Sequence, residues 1–112
     1  VRSGKVKAFG TTGDKRSAVL PEVPTVAEAG VPGYEAVIWL GVMAPRNTPR
    51  DVVNRLNAEI SKITSRPDVR DAWAKQGAVA MTMTPEEFAR FMTSDIAKWD
   101  RIVKISGAKA DQ

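Results

Sequence analysis

The sequence contains neither cysteine nor histidine, and these two absences exclude several classes of function. Without cysteine, the chain has no disulfide framework, no thiolate nucleophile and no cysteine-based metal site. Without histidine, it lacks the commonest metal ligand and the usual general base near neutral pH. The adjacent carboxylates Glu86 and Glu87 lie where a helix is expected to begin, and there they favour capping over catalysis. We therefore expect no enzyme, no metal site and no cofactor.

The sequence also lacks a long apolar run and a concentrated block of charge. The longest uncharged apolar stretch, residues 36–45, is about half the length that a membrane span requires. Lys and Arg number 17 against 13 Asp and Glu in 112 residues, and the basic residues are scattered. A nucleic-acid-binding protein concentrates them on one face, so we expect no nucleic-acid partner. Because the first residue is Val1 and not methionine, we expect a fragment or a processed product.

Hydrophobic spacing predicts an α/β fold with few strands and about four helices. Strands are expected over residues 5–12, over 34–44, where a continuous apolar centre predicts burial on both faces, and over 78–82 as a short edge strand. Capping residues predict four helices, which begin at Thr25, Thr48, Pro67 and Thr84. Because a sheet of so few strands seldom closes a two-sided core, we expect an incomplete sheet or one completed by dimerisation.

Large apolar side chains recur at helical spacing in the second half of the sequence. This spacing predicts that one face of each helix is buried. The residues expected in the core are Trp73, Phe88, Phe91, Met92 and Trp99.

One long motif resembles a signature of a known family. Residues 20–35 read L-P-E-V-P-T-V-A-E-A-G-V-P-G-Y-E, which is similar to a segment of the tripartite tricarboxylate transporter substrate-binding proteins, the Bug or TctC family. Shorter matches surround it in the family's order. They read G-K-V-K-A-F at 4–9, W-L-G-V-M-A-P at 39–45, N-T-P at 47–49, T-P-E-E-F at 84–88 and K-W-D-R-I-V-K at 98–104.

The resemblance implies the C-terminal portion of a periplasmic-binding-protein-like fold of type II, a two-domain flytrap. Residues 1–33 would end the second domain, 34–45 would form a strand crossing the hinge, and 46–112 would supply the C-terminal helical part of the first domain. The whole protein would be periplasmic. It would bind a small organic carboxylate and pass it to the membrane permease of the transporter.

Four residues are expected to bind the ligand: Thr11, Thr12, Trp39 and Gly41. The two threonines end the first predicted strand, and in open α/β folds the carboxyl ends of strands face the ligand crevice. The alternative is ordinary turn chemistry, in which threonine is common. Trp39 could wall a cleft or pack in a core, and Gly41 could let the backbone approach a ligand. The neighbouring Lys15 and Arg16 either steer an anionic ligand or are solvated loop charges.

A second class of function stays open from the residues alone. A chain with unpaired strand edges can complete its sheet with a second copy of itself. The protein would then be a self-associating, non-catalytic interaction module, with residues 36–44 and 84–104 in the interface of a homodimer.

Overall fold

The computed structural model describes residue 1 and residues 3–109. Within these residues there are three helices, α1 (Arg50–Thr64), α2 (Pro67–Ala74) and α3 (Pro85–Ser106). The same residues contain no strand ladder, but one isolated parallel bridge pairs Thr11 with Thr25. The predicted helices of the second half are therefore confirmed. The predicted strands at 5–12, 34–44 and 78–82 carry no ladder pairing.

The largest departure from expectation concerns residues 34–44, which were predicted to be a strand covered on both faces. In the structure Ile38 is 95% exposed and Leu40 is 98% exposed. One hydrogen bond ties the start of the segment, from the Ala36 N–H to the Thr12 carbonyl at 2.8 Å. The prediction of burial was wrong because apolar composition indicates that a segment favours a covered position, and the described residues do not supply the cover.

The chain divides into two compact units. The first comprises Val1–Pro45 and Arg66–Ala80, and it contains the Thr11–Thr25 bridge and α2. Of the residues that the structure describes, only Val23 and Thr25 are buried, and both belong to this unit. The second unit comprises Arg46–Ser65 and the residues from Met81 onward, and it contains α1 and α3. The assignment of residues 1–33, 34–45 and 46–112 to parts of two flytrap domains remains a prediction.

The ends of α3 follow the local signals in the sequence. The Thr84 side chain accepts a hydrogen bond from the Glu87 N–H, and the Glu87 carboxylate accepts one from the Thr84 N–H, which completes a capping box. Gly107 ends the helix in the left-handed conformation, at φ +68°. At the start of α1 the predicted cap was wrong by one residue, because Pro49 is the N-cap and no side chain caps the helix.

In the second unit, α1 and α3 are joined by polar contacts. The Asn57 side-chain amide donates to the Met83 carbonyl at 2.9 Å, just before α3 begins. Arg50 at the start of α1 pairs with Glu86 in the first turn of α3. The predicted burial of Trp99, and of Trp73 in the first unit, was wrong, since each is 38% exposed.

Candidate ligand site

The candidate site is built on the bridge between residues 11 and 25. The Thr11 N–H donates to the Pro24 carbonyl at 2.9 Å, and the Val26 N–H donates to the Thr11 carbonyl at 2.9 Å. The two backbones approach closely at Gly10, where an added Cβ would come within 3.2 Å of a Val26 methyl. Glycine at this position therefore allows the two segments to lie side by side.

The predicted short helix at Thr25 is a single turn. Its capping box forms as expected, with the Glu28 N–H donating to Thr25 Oγ1 at 3.1 Å and the Thr25 N–H donating to Glu28 Oε2 at 2.9 Å. The Ala29 N–H then donates to the Thr25 carbonyl at 2.9 Å, but Gly30 adopts a φ of +119°. The prediction of a helix was wrong because the chain turns away after one helical bond.

Glu28 links this turn to the loop that carries Arg16. Arg16 Nε donates to Glu28 Oε2 at 2.8 Å, and Arg16 Nη1 donates to the Pro21 carbonyl at 3.4 Å. The Thr25 N–H, and then Arg16, hold the pKa of Glu28 below its ordinary value. Arg16 is thus engaged by a carboxylate, which neither of the two expectations for it included. The opposite charges are visible in the sequence, but no local rule pairs residues twelve positions apart.

The four predicted ligand residues differ in how the structure uses them. The N–H and the carbonyl of Thr11 both form hydrogen bonds of the bridge, and its hydroxyl lies 3.5 Å from the Pro24 carbonyl. Thr12 is exposed, Trp39 is half-buried and Gly41 is exposed. The bond from the Ala36 N–H to the Thr12 carbonyl joins the segment of the threonines to the segment of Trp39 and Gly41.

Two open depressions lie elsewhere on the described surface. One follows α1 and is lined by Asp51, Val52, Arg55, Leu56 and Glu59. The other is lined by Val1, Val19, Leu20 and Lys75. Neither includes a predicted ligand residue, so the roles of Thr11, Thr12, Trp39 and Gly41 remain predictions.

The described residues offer neither a metal-binding cluster nor a membrane-spanning helix. Residues 1 and 3–109 contain no group of three or more Asp or Glu side chains arranged to hold a metal ion. Within the same residues, none of the helices combines the length and apolarity needed to cross a bilayer.

The sequence matches a known protein family over nearly its whole length. Residues 1–108 match the Tripartite tricarboxylate transporter family receptor. A UPF0065 protein from the tcbD-tcbE intergenic region of Pseudomonas sp. (strain P51) is 45% identical over 88% of this chain and 30% of its own length. The chain spans 30% of the length of this relative and 33% of the length of Protein BugT from Bordetella pertussis.

Three solved structures are similar to the chain in fold as well as in sequence. The periplasmic binding protein BugD is 32% identical, with a TM-score of 0.83 over 99% of this chain and 38% of its own. The R. palustris protein Rpa4515, solved with adipate, is 33% identical, with a TM-score of 0.82 over 95% and 36%. MatC from Rhodopseudomonas palustris, with bound malate, is 37% identical, with a TM-score of 0.72 over 91% and 36%. These likenesses confirm part of an α/β periplasmic-binding-protein fold, and the chain belongs to the tripartite tricarboxylate transporter receptor family, the TctC or Bug family.

Proposed function

We propose that this chain is part of a periplasmic solute-binding protein that captures a small organic carboxylate for a tripartite tricarboxylate transporter. The observation that carries the proposal is the likeness to MatC with malate and to Rpa4515 with adipate, at TM-scores of 0.72 and 0.82. Malate and adipate are both dicarboxylates. The likeness to the periplasmic binding protein BugD supports the location. The protein would act by binding alone, and its macromolecular partner would be the permease of the transporter.

The candidate residues have the chemistry for such a ligand. Thr12 is exposed at the end of the bridged segment, and its hydroxyl can donate to a carboxylate oxygen. Gly41 is exposed and has no side chain to obstruct an approaching ligand. Trp39 is half-buried and can present one edge of its ring to a ligand. In this proposal Thr11 contributes mainly by fixing the position of Thr12.

The test uses MatC as the scaffold, because this chain aligns with about a third of MatC and its own affinity is expected to be weak. A MatC chimera carries this chain's residues in place of the aligned region. Its malate and adipate affinities are measured by isothermal titration calorimetry. We expect the chimera to bind a dicarboxylate. A chimera that has native circular dichroism and a cooperative melt, but binds neither compound, would contradict the proposed function.

Within the chimera, Thr12→Val tests the predicted ligand contact. The substitution keeps the shape of the side chain and removes its hydrogen-bond donor. We expect malate affinity to fall about tenfold, as for the loss of a hydrogen bond to a charged group. Thr82→Val is the matched control, because Thr82 is exposed and lies outside the candidate site. Equal affinities for the two variants would remove Thr12 from the site.

A further inference from the structure

We infer that Glu28 is a positioning residue that holds the Thr11–Thr12 segment in place through Thr25. Its importance for a ligand rests on the proposed function, whereas its effect on the backbone does not. Glu28 Oε2 accepts hydrogen bonds from two separate parts of the chain, the Thr25 N–H at 2.9 Å and Arg16 Nε at 2.8 Å. One carboxylate oxygen therefore joins the loop at Arg16 to the turn that begins at Thr25.

The first step runs from Glu28 to Thr25. The bond from the Glu28 N–H to Thr25 Oγ1, at 3.1 Å, is reciprocal to the one that Oε2 accepts. Two bonds in opposite directions fix both the backbone and the side chain of Thr25. Arg16 adds a second anchor, because its Nη1 also donates to the Pro21 carbonyl at 3.4 Å. Arg16 thereby ties the same carboxylate oxygen to a second part of the chain.

The second step runs from Thr25 to Thr11. Thr25 is only 2% exposed, so it has little room to shift. The residues on its two sides both bond Thr11, through the Pro24 carbonyl and the Val26 N–H at 2.9 Å each. A displacement of Thr25 would therefore disturb both bonds together. Thr12 follows directly in the chain, and its carbonyl accepts from the Ala36 N–H at 2.8 Å.

The chain contains a second capping box that serves as an internal control. The Glu87 N–H donates to Thr84 Oγ1 at 3.2 Å, and the Thr84 N–H donates to Glu87 Oε2 at 2.8 Å. The geometry matches that at Glu28, but Thr84 is exposed and is the N-cap of α3. Loss of the Thr84–Glu87 capping box should disturb the first turn of α3 and leave the Thr11 segment unchanged.

The first experiment measures amide hydrogen exchange by NMR in the 112-residue chain and in its Glu28→Ala, Glu28→Gln and Glu87→Ala variants. We expect Glu28→Ala to accelerate exchange at the Thr11, Val26 and Ala36 amides about fivefold, the usual effect of losing a cap. Glu28→Gln retains an acceptor for the Thr25 N–H and should restore part of the protection. Glu87→Ala should change these three amides less than about twofold.

Two results of the exchange experiment would overturn the inference. One is unchanged exchange at the Thr11, Val26 and Ala36 amides in Glu28→Ala. The other is an equal acceleration of the α3 amides in that variant, which would indicate general destabilisation. Acceleration confined to the three amides, with partial rescue by Glu28→Gln, supports the inference.

The second experiment measures malate affinity in the MatC chimera. We expect Glu28→Ala to weaken binding about fivefold, because the ligand-contacting segment is no longer held. Glu87→Ala should leave the affinity unchanged. Unchanged affinity in a folded Glu28→Ala chimera would overturn the link to the ligand. A folded parent chimera that binds neither malate nor adipate would contradict the proposed function alone, and amide exchange would still decide the role of Glu28 in the backbone.

Discussion

At the scale of single residues, the least exposed position described is a polar one. Thr25 is 2% exposed, whereas the only other buried residue in the described part of the chain, Val23, is 5% exposed. A hydroxyl withdrawn from water is costly unless it is hydrogen-bonded. Thr25 Oγ1 meets this condition by accepting from the Glu28 N–H. Thr25 therefore stabilises the fold through a hydrogen bond as well as through the burial of its side chain.

We predict that Thr25→Val destabilises the chain although it preserves the shape of the side chain. The variant leaves the Glu28 N–H without its acceptor, which should lower the free energy of unfolding by about 1–2 kcal/mol. Urea denaturation followed by circular dichroism measures the difference. Thr82→Val, at an exposed position, should stay within about 0.5 kcal/mol of the parent chain. Equal stabilities for the two variants would contradict the prediction.

The two capping carboxylates predict loss of stability in acid. Hydrogen bonds from Thr25 and Arg16 lower the pKa of Glu28 from 4.5, and those from Thr84 lower the pKa of Glu87 from 4.5. Because both values are lower in the folded state, their stabilisation is complete above the unfolded value and is lost as pH falls through the folded pKa. The melting temperature should therefore decrease as the pH is lowered beyond about 4.5. It should fall less steeply in a Glu28→Gln/Glu87→Gln variant, and identical slopes would count against this account.

At the scale of elements, features that depend on a few adjacent residues were predicted from the sequence, and features that depend on distant residues were not. Thr84 and Gly107 cap the two ends of α3, and each cap is recognisable from a few adjacent residues. The prediction of burial at Ile38 and Leu40 was wrong, because an apolar run does not specify a covering partner, and both residues are exposed. The Thr11–Thr25 bridge was not predicted, because its two sides are fourteen residues apart in sequence.

The candidate site shows the same division. The Thr25–Glu28 capping box could be predicted from its three-residue spacing, and it forms. The link from Arg16 to Glu28 depends on how the intervening loop folds, so spacing alone did not reveal it. Thr11 and Thr12 were chosen by a general rule about strand ends, and their ligand contacts remain predictions.

We predict that Asn57 stabilises the second unit through its bond to Met83. Asn57→Ala removes the donor to the Met83 carbonyl, which lies at 2.9 Å. Asn54→Ala is the matched control, because Asn54 is exposed on the same helix and gains the same helix propensity. The free energy of unfolding of Asn57→Ala should lie about 1 kcal/mol below that of Asn54→Ala in urea denaturation. A difference close to zero would show that the bond contributes nothing.

At the scale of the whole molecule, the apolar segment from Ile38 to Met43 dominates the surface chemistry. Trp39 is half-buried, but Ile38, Leu40, Val42 and Met43 are 65–98% exposed. Exposed apolar surface of this kind marks sites of association. Such a segment would be expected to promote self-association at high concentration. The segment lies within residues 36–44, which the alternative homodimer would place in its interface.

We predict that Leu40→Lys reduces concentration-dependent association without loss of stability. Leu40 is 98% exposed, so the substitution sacrifices almost no burial and places a charge on the apolar segment. Light scattering at two concentrations should show a mass closer to 12.2 kDa than that of the parent chain. Val79→Lys is the control, at an exposed valine outside the segment. A parent chain that stays monomeric at both concentrations would refute the prediction.

The small number of buried residues in the described part of the chain has a calorimetric consequence. Val23 and Thr25 are the only such residues in the described part of the chain, so unfolding would expose little apolar surface that is inaccessible to solvent in the folded chain. The heat-capacity increment of unfolding depends on newly hydrated apolar area and should be small for a chain of this length. A small increment flattens the dependence of the unfolding free energy on temperature. Cooling and moderate warming should therefore change the stability of this chain only slightly.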